Sequence, residues 1–229
     1  MFRLLADLYS LFFPLVCQSC QRVLTTNEIL ICLYCRADLP LAKLSEVATN
    51  EVERIFYGRT VIEFGTSLLF YEQNGMAQQL IHQLKYKGQE ELSALLGQWM
   101  GEELRVSKRL PSIDFVVPVP LDRRKMKKRG YNQVDGFGRE IARMLNAHFV
   151  ENNLKSRTSK DTQTKKNRFD RWLNVKNNYY LSDPSVFANS SLLIVDDVIT
   201  TGATLEACCS ALFKSEGVKI SIATMAFTS

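Results

Sequence analysis

The sequence predicts an α/β protein in which an open parallel sheet is flanked by helices and preceded by a small zinc-ribbon-like module. Three observations predict this fold class. Apolar runs of strand length alternate with helical patterns from about residue 75 onward. Two C-x2-C pairs lie near the start of the chain, and one apolar run leads into two adjacent aspartates. A chain of 229 residues is long enough for one domain with a small appendage.

The predicted elements divide the chain into three parts. Ile113 to Val119 is a continuous apolar run, which is typical of a parallel strand buried on both faces. Other strands are predicted at 61–71, 149–154, 192–195 and 218–227, and helices at 77–86, 91–105, 132–147 and 204–215. We therefore expect an N-terminal helix and four-cysteine module over 1–45, a linker and β-rich hood segment over 46–75, and an α/β domain over 76–229.

Composition excludes several classes of protein. A hydrophobic fraction of 46% and a charged fraction of 23% exclude global disorder. No apolar stretch approaches the roughly 20 residues that span a bilayer. The apolar start of the chain faintly resembles a secretory signal, but Asp7 interrupts it and helical spacing explains it as a short amphipathic helix. With reduced cysteines, these features predict a cytoplasmic protein.

The first four of the six cysteines form a candidate metal site. Cys17, Cys20, Cys32 and Cys35 are arranged as C-x2-C, eleven residues, C-x2-C. Two such turns supply four thiolates in tetrahedral geometry, which predicts a structural Zn²⁺. Disulfides or a redox C-x-x-C are the alternatives, although a redox site needs one such motif rather than two. Cys208 and Cys209 lie in a predicted helix and are interpreted as buried thiols without a function.

Positive charge is concentrated in two segments. Arg123 to Arg129 holds six basic residues in seven positions, and Lys155 to Lys176 holds eight. Two such segments favour a polyanionic ligand over a pair of solvated loops. Both segments are interpreted as loops that contact pyrophosphate or nucleic acid, and the candidate contacts are Lys125, Lys127, Lys128, Arg129, Lys165, Lys166, Arg168 and Arg171.

The most informative segment is Leu192 to Leu205, LLIVDDVITTGATL. A buried strand is predicted to deliver Asp196 and Asp197 at its carboxyl end, the edge where open α/β sheets bind ligands. The following small and hydroxylated residues leave backbone N–H groups free to surround a phosphate at a helix N-terminus. Carboxylates accept hydrogen bonds from vicinal hydroxyls, and the following N–H groups donate to a phosphate. A ligand with a sugar diol beside a phosphate, such as ribose 5-phosphate, therefore suits both the aspartates and the residues after them. The alternative is a capped helix with two surface acids.

This string resembles the 5-phosphoribosyl-1-pyrophosphate (PRPP) binding motif of type I phosphoribosyltransferases. The resemblance implies that Asp196 and Asp197 hold the ribose hydroxyls, with Mg²⁺ bound alongside PRPP. It implies that Thr200, Thr201, Gly202, Ala203 and Thr204 hold the 5-phosphate. Thr200 stands where purine-salvage members often carry an acidic residue, and a threonine cannot act as a general base.

Further motifs are similar to the ComF/GntX family of competence and DNA-utilisation proteins. These are V-P-V-P-L at Val117–Leu121, R-G-Y-N-Q at Arg129–Gln133 and K-Y-K-G at Lys85–Gly88, together with the preceding four-cysteine module. The resemblance covers nearly the whole chain and implies a phosphoribosyltransferase-like domain over 76–229. Arg129 is the expected pyrophosphate contact, and the Lys155–Lys176 segment is the expected lid.

Two functions of different classes follow from the resemblance. One is a protein that binds PRPP and handles imported single-stranded DNA, near a competence helicase and the membrane import machinery. In that case Tyr131, Phe169 and Trp172 are candidates for stacking on bases. The alternative is an active phosphoribosyltransferase with an unidentified acceptor, or a regulator that senses PRPP.

Overall fold

The computed structural model describes residues 13–86, 88–157 and 178–228. Its centre is a five-stranded, wholly parallel sheet with the spatial order β1-β7-β6-β2-β3. The strands are β1 (Phe64–Phe70), β2 (Phe115–Pro118), β3 (His148–Phe149), β6 (Ser191–Ile199) and β7 (Lys219–Phe227). The predicted parallel α/β architecture is therefore confirmed.

Helices cover both faces of this sheet. The helices are α1 (Leu33–Ala37), α2 (Glu51–Arg54), α3 (Met76–Tyr86), α4 (Glu90–Val106), α5 (Arg123–Arg129), α6 (Asp135–Leu145) and α7 (Ala203–Leu212). A separate antiparallel pair is formed by β4 (Leu154–Ser156) and β5 (Tyr179–Leu181), followed by a 3₁₀ turn at Pro184–Phe187. None of the helices among the described residues is both long and apolar enough to cross a membrane.

The strands separate the core into two clusters because successive side chains point to opposite faces. Leu193 and Val195 of β6 pack in the cluster that contains α3, α4 and α6. Leu192 and Ile194 of the same strand pack against α2 and α7 on the other face. Every β6 position from 192 to 195 is thus buried, which explains why the sequence shows a continuous apolar run there.

The structure differs from the sequence-based prediction at the edge of the main sheet and at the predicted strand 149–154. Phe64–Phe70 lies in a predicted hood segment, yet it pairs with β7 and forms one edge of the main sheet. The predicted strand 149–154 is wrong, because the chain turns at Asn152, which has a φ of 70°, and its ends join different sheets. The division into three domains otherwise stays a prediction, and the predicted N-terminal helix up to residue 12 lies outside the described residues.

The basic run at Arg123–Arg129 is a helix rather than a loop. Asp122 caps its start by accepting a hydrogen bond from the backbone N–H of Arg124 at 2.8 Å. Gly130 ends it in the left-handed conformation, with a φ of 82°. Arginine and lysine are good helix formers, so these two end signals suffice to make α5 helical.

Candidate functional site

The carboxylate pair, Asp196 and Asp197, lies inside β6 rather than after it. The strand continues to Ile199, which pairs with Phe227 of β7. Each aspartate accepts a hydrogen bond from the backbone N–H that follows it, at 2.8 Å for Asp196 and 2.7 Å for Asp197. These bonds hold both side chains close to the carboxyl end of the central strand, where the sheet is open to ligands.

Asp197 is held by two side chains from other elements. Its Oδ2 accepts hydrogen bonds from Nζ of Lys85 and from Nε2 of Gln133, each at 2.8 Å. Asp197 is 8% exposed, so this ion pair compensates the loss of hydration of its charge. Lys85 lies in the last turn of α3 and Gln133 lies two residues before α6, so both helices are tied to the sheet edge at this point.

Asp196 has a different environment from its neighbour. Burial, together with the adjacent charge of Asp197, raises the pKa of Asp196 to about 8, and the ammonium groups of Lys85 and Lys125 oppose this rise. Its Oδ1 accepts the single backbone hydrogen bond from Asp197. Asp196 is therefore the member of the pair that retains its proton near neutrality.

The phosphate loop, Thr200–Thr204, follows β6 and opens α7. The side chains of Thr200, Thr201 and Thr204 are exposed, whereas Gly202 is buried. Gly202 has a φ of 72°, and a Cβ there would lie 2.5 Å from Cγ2 of Ile55. Only glycine fits both the backbone conformation and the space, so the loop is shaped by its packing as well as by its own sequence.

Arg59 braces the phosphate loop from the chain segment after α2. Its guanidinium donates to the carbonyl of Thr201 at 2.6 Å and to the carboxylate of Glu206 at 2.6 Å. Glu206 lies in the first turn of α7, two residues after Thr204, the last residue of the loop. Arg59 therefore joins the carbonyl side of the loop to the helix that follows and leaves the N–H side available to a ligand.

The expected pyrophosphate contact, Arg129, is linked to the carboxylate pair through Gln133. Its Nη1 donates to Oε1 of Gln133 at 2.6 Å, and the amide nitrogen of the same Gln133 donates to Asp197. Lys125 is close enough to Asp196 to lower its pKa, while Lys127 and Lys128 are exposed on α5. Lys165, Lys166, Arg168, Arg171, Phe169 and Trp172 lie outside the described residues.

Sequence reasoning missed two residues of this site. Lys85 and Gln133 occur in the quoted K-Y-K-G and R-G-Y-N-Q motifs, yet no pattern in the sequence assigns either of them to Asp197. Tyr131 also differs from expectation, because its hydroxyl donates to the carbonyl of Leu84 and its ring is half-buried. The structure thus gives Tyr131 a packing role between α3 and the start of α6.

A second cluster is formed by Cys17, Cys20, Cys32 and Cys35. Their sulfur atoms all lie within 4.8 Å of one another, and the Cys20 and Cys32 sulfurs are 3.7 Å apart. Zinc–sulfur bonds of 2.3 Å in a tetrahedron require sulfur separations of about 3.8 Å. Burial tends to raise the pKa of Cys17, but backbone N–H donors outweigh it and lower that pKa to about 7. The cluster could therefore hold a zinc ion.

Comparisons with known proteins give one matching domain family and several relatives. A family model described as "Phosphoribosyl transferase domain" matches residues 136–228, which include the carboxylate pair and the phosphate loop. A "Competence protein F" of Haemophilus influenzae is 27% identical over an alignment of 201 residues, which covers 76% of this chain and 86% of that protein. A "DNA utilization protein YhgH" of Salmonella typhi is 30% identical over 146 residues.

The YhgH match covers 62% of this chain and 63% of the relative, so the chain spans about three fifths of that relative's length. Among solved structures, an adenine phosphoribosyltransferase from Leishmania tarentolae is 13% identical and gives a TM-score of 0.37. It covers 78% of this chain and 88% of the other. This TM-score is too low for the likeness to inform the fold.

Proposed function

The matched domain and the relatives place this chain in a ComF-like family, and on that premise we propose that it binds PRPP with Mg²⁺ and takes part in handling imported single-stranded DNA. One observation supports the proposal of PRPP binding: the carboxylate pair is followed directly by the phosphate loop at the carboxyl end of β6. The carboxylates lie where a ribose diol would be held, and the loop N–H groups lie where its 5-phosphate would be held.

The cations near this site fit the other end of PRPP. Lys125 and Arg129 of α5 lie close to the carboxylate pair, and a 1-pyrophosphate carries several negative charges that such groups stabilise. Carboxylate and phosphate oxygens are ligands that Mg²⁺ prefers, and a bound Mg²⁺ would neutralise pyrophosphate charge. The structural role proposed for zinc belongs to the four cysteines, which are distinct from this site.

The DNA part of the proposal is supported by the names of the relatives and by the charge of the chain. The Haemophilus relative is named for competence and the Salmonella relative for DNA utilisation. Lys127 and Lys128 are exposed on α5, where they can neutralise backbone phosphates. A helicase and the membrane import machinery remain the expected partners in such a role.

Calorimetry with PRPP and Mg²⁺ tests the PRPP site. We expect the double variant Asp196→Ala/Asp197→Ala to bind PRPP roughly tenfold to a hundredfold more weakly, since hydrogen bonds to charged groups contribute about 1.5–3 kcal/mol. Glu216→Gln is the control, because this exposed carboxylate precedes β7 at the opposite edge of the sheet. Equal affinity of the double variant and wild type would contradict the proposal.

Transfer of phosphoribose to an acceptor is the alternative that the same site leaves open. In that reaction the bond from the anomeric carbon to pyrophosphate breaks, and the carbon bonds to the acceptor as pyrophosphate leaves. Pyrophosphate release in the presence of candidate nucleobases measures this activity. Release that depends on both a nucleobase and Asp197 would establish the enzyme, and PRPP binding without release would favour a binding or sensing protein.

A further inference from the structure

A polar cleft lies between the cysteine module and α3, away from the carboxylate pair. It has a volume of about 520 Å³. Ser19 of the cysteine module donates to Oε1 of Gln79 on α3 at 3.4 Å and so spans its floor. The cleft is lined by side-chain amides and one histidine: Gln21, Asn74, Gln78, Gln79, His82 and Gln83.

Gln83 gives this cleft an unsatisfied acceptor. It is 7% exposed, and its Oε1 accepts no hydrogen bond from the residues that the structure describes. A buried acceptor without a donor lowers stability, and native structures contain few of them. Because this oxygen is itself buried, a ligand in the cleft would meet the exposed Gln79 and would reach the Gln83 oxygen only if that side chain turned outward.

Two aromatic rings connect the cleft to the basic helix. The imidazole of His82, at the rim of the cleft, contacts the ring of Tyr86 with centroids 4.7 Å apart. The Lys128 ammonium lies 5.9 Å from the centroid of the Tyr86 ring, and the Arg129 guanidinium lies 5.8 Å from it. Tyr86 is 59% exposed, so one part of its ring remains open to solvent.

Amides and aromatic rings therefore follow one another along α3, and cations of α5 lie beside its last residue. We call this surface the α3 track (Gln79, His82, Tyr86 and Lys128). From Gln79 to Tyr86 a helix rises about 10 Å. Nucleotides stacked 3.4 Å apart would place about three in that length.

We propose that the α3 track binds single-stranded DNA by its bases, with Tyr86 as a stacking platform and the amide cleft as the reader of a base edge. The proposal rests on the proposed role in DNA handling and names the surface that would perform it. Cations bind the backbone phosphates, an exposed ring stacks on a base, and amides pair with the donors and acceptors of base edges. The amide-lined cleft suits an uncharged base better than a phosphate, because none of its described lining residues is a lysine or an arginine.

Fluorescence anisotropy with three labelled probes tests this surface: a single-stranded oligonucleotide, the same length of abasic strand, and a duplex. We expect Tyr86→Ala to bind the single strand roughly fivefold to a hundredfold more weakly, because stacking is lost. Affinity for the abasic strand and for the duplex should be unchanged. Tyr86→Phe should restore single-strand binding, and Tyr57→Ala, which removes another ring that is 59% exposed, should have no effect.

Salt dependence separates stacking from charge. The slope of log affinity against log salt should be the same for Tyr86→Ala as for wild type, whereas Lys128→Ala should reduce it by about 0.7 for one phosphate contact. Gln79→Ala should weaken binding of oligonucleotides with amino-bearing bases, while Gln98→Ala, an exposed glutamine of α4, should not.

Two results would overturn the proposal in distinguishable ways. If wild type binds the single strand but Tyr86→Ala and Gln79→Ala bind it equally well, the α3 track is not the DNA surface and a protein partner becomes its candidate occupant. If Tyr86→Ala weakens the abasic probe as strongly as the normal one, Tyr86 does not stack on bases. Absence of any binding by wild type at low salt would instead overturn DNA handling itself.

Discussion

Asp196 and Asp197 are neighbours in sequence with opposite electrostatic environments. Asp197 faces Lys85 and Gln133, which stabilise its charge. Asp196 is left with the charge of Asp197 beside it, and burial raises its pKa to about 8. The folded protein thus stabilises a negative charge on Asp197 and disfavours a negative charge on Asp196. Substitutions at the two positions should therefore have different effects on stability, and the effect at Asp196 should depend on pH.

Replacing Asp196 with Asn should raise the melting temperature, and the gain should grow with pH. The raised pKa means that the folded state retains a proton that the unfolded state has released, so wild-type stability falls as the pH rises from about 4 to about 8. Asparagine releases no proton and keeps the acceptor for the Asp197 N–H. Thermal melts at pH 5 and pH 8 measure the difference.

Asp135 should also make the stability of the wild type fall with rising pH, between about 4 and about 6, because burial raises the pKa of Asp135 to about 6. The control for both positions is Glu216→Gln, whose melting temperature should follow wild type across this range. A gain for Asp196→Asn that is independent of pH would contradict the assigned protonation. We expect this variant to bind PRPP more weakly, as stabilised binding sites often lose function.

Removing Lys85 should destabilise the fold more than removing a surface cation does. Lys85→Ala leaves Asp197 largely buried without its ion-pair partner, which we expect to cost about 1–3 kcal/mol of unfolding free energy. Arg143→Ala is the matched control, because the Arg143 side chain is 61% exposed in its pair with Glu140, so this pair should contribute about 0–1 kcal/mol. Urea denaturation measures both, and equal losses would refute the role of Lys85.

At the scale of elements, the junction from β6 through the phosphate loop to α7 depends on a neighbour distant in sequence. Ile55 packs so close to Gly202 that no Cβ fits, and Arg59 holds the carbonyl of Thr201. The loop conformation is therefore imposed from outside as well as encoded locally. The effect of this packing on stability can be measured by comparing Gly202 with Gly58, which has a similar backbone conformation.

Gly202→Ala should destabilise the protein more than Gly58→Ala. Both glycines have a positive φ, 72° and 70°, so each alanine costs about 1–2 kcal/mol in backbone strain. Only at Gly202 would the new Cβ also meet Ile55, since nothing lies within 4 Å at Gly58. Thermal melts measure the difference, and calorimetry should show weaker PRPP binding for Gly202→Ala alone. Similar behaviour of the two variants would show that Ile55 yields to the added methyl group.

The basic helix shows what local signals can and cannot predict. Asp122 and Gly130 are ordinary helix start and stop signals, so the helical form of Arg123–Arg129 was available from sequence. The sequence argument concentrated on charge and interpreted the run as a loop. Its position beside Tyr86 and Gln133, by contrast, depends on how α3 and α6 pack.

At the scale of the whole molecule, the cysteine module is part of the main core. Cys17, Ile31 and Cys32 belong to the same hydrophobic cluster as Leu80 of α3 and Leu96 of α4. Loss of a metal would therefore disturb the packing of α3 and α4 as well as the module. The cluster on the other face of the sheet contains none of the four module cysteines.

Zinc removal should lower the melting temperature of the whole chain while leaving part of the sheet folded. We expect elemental analysis to find one zinc per chain and a chelator to broaden the thermal transition, since metal binding and folding are coupled. Cys20→Ser should lose zinc, whereas Cys20→His should retain it because histidine is also a zinc ligand. Zinc-free wild type with an unchanged melting curve would contradict a structural metal.

The sequence by itself determined what depends on neighbouring residues. Strand and helix periodicity, the C-x2-C spacing, and the string from Asp196 to Thr204 are all local, and each is recognisable without a fold. Only the tertiary structure decided which side chains surround Asp197, because Gln133 is 64 residues away from it in sequence. The same holds for Arg59 at the phosphate loop, for β1 at the sheet edge and for the α3 track, since packing rather than sequence distance sets these contacts.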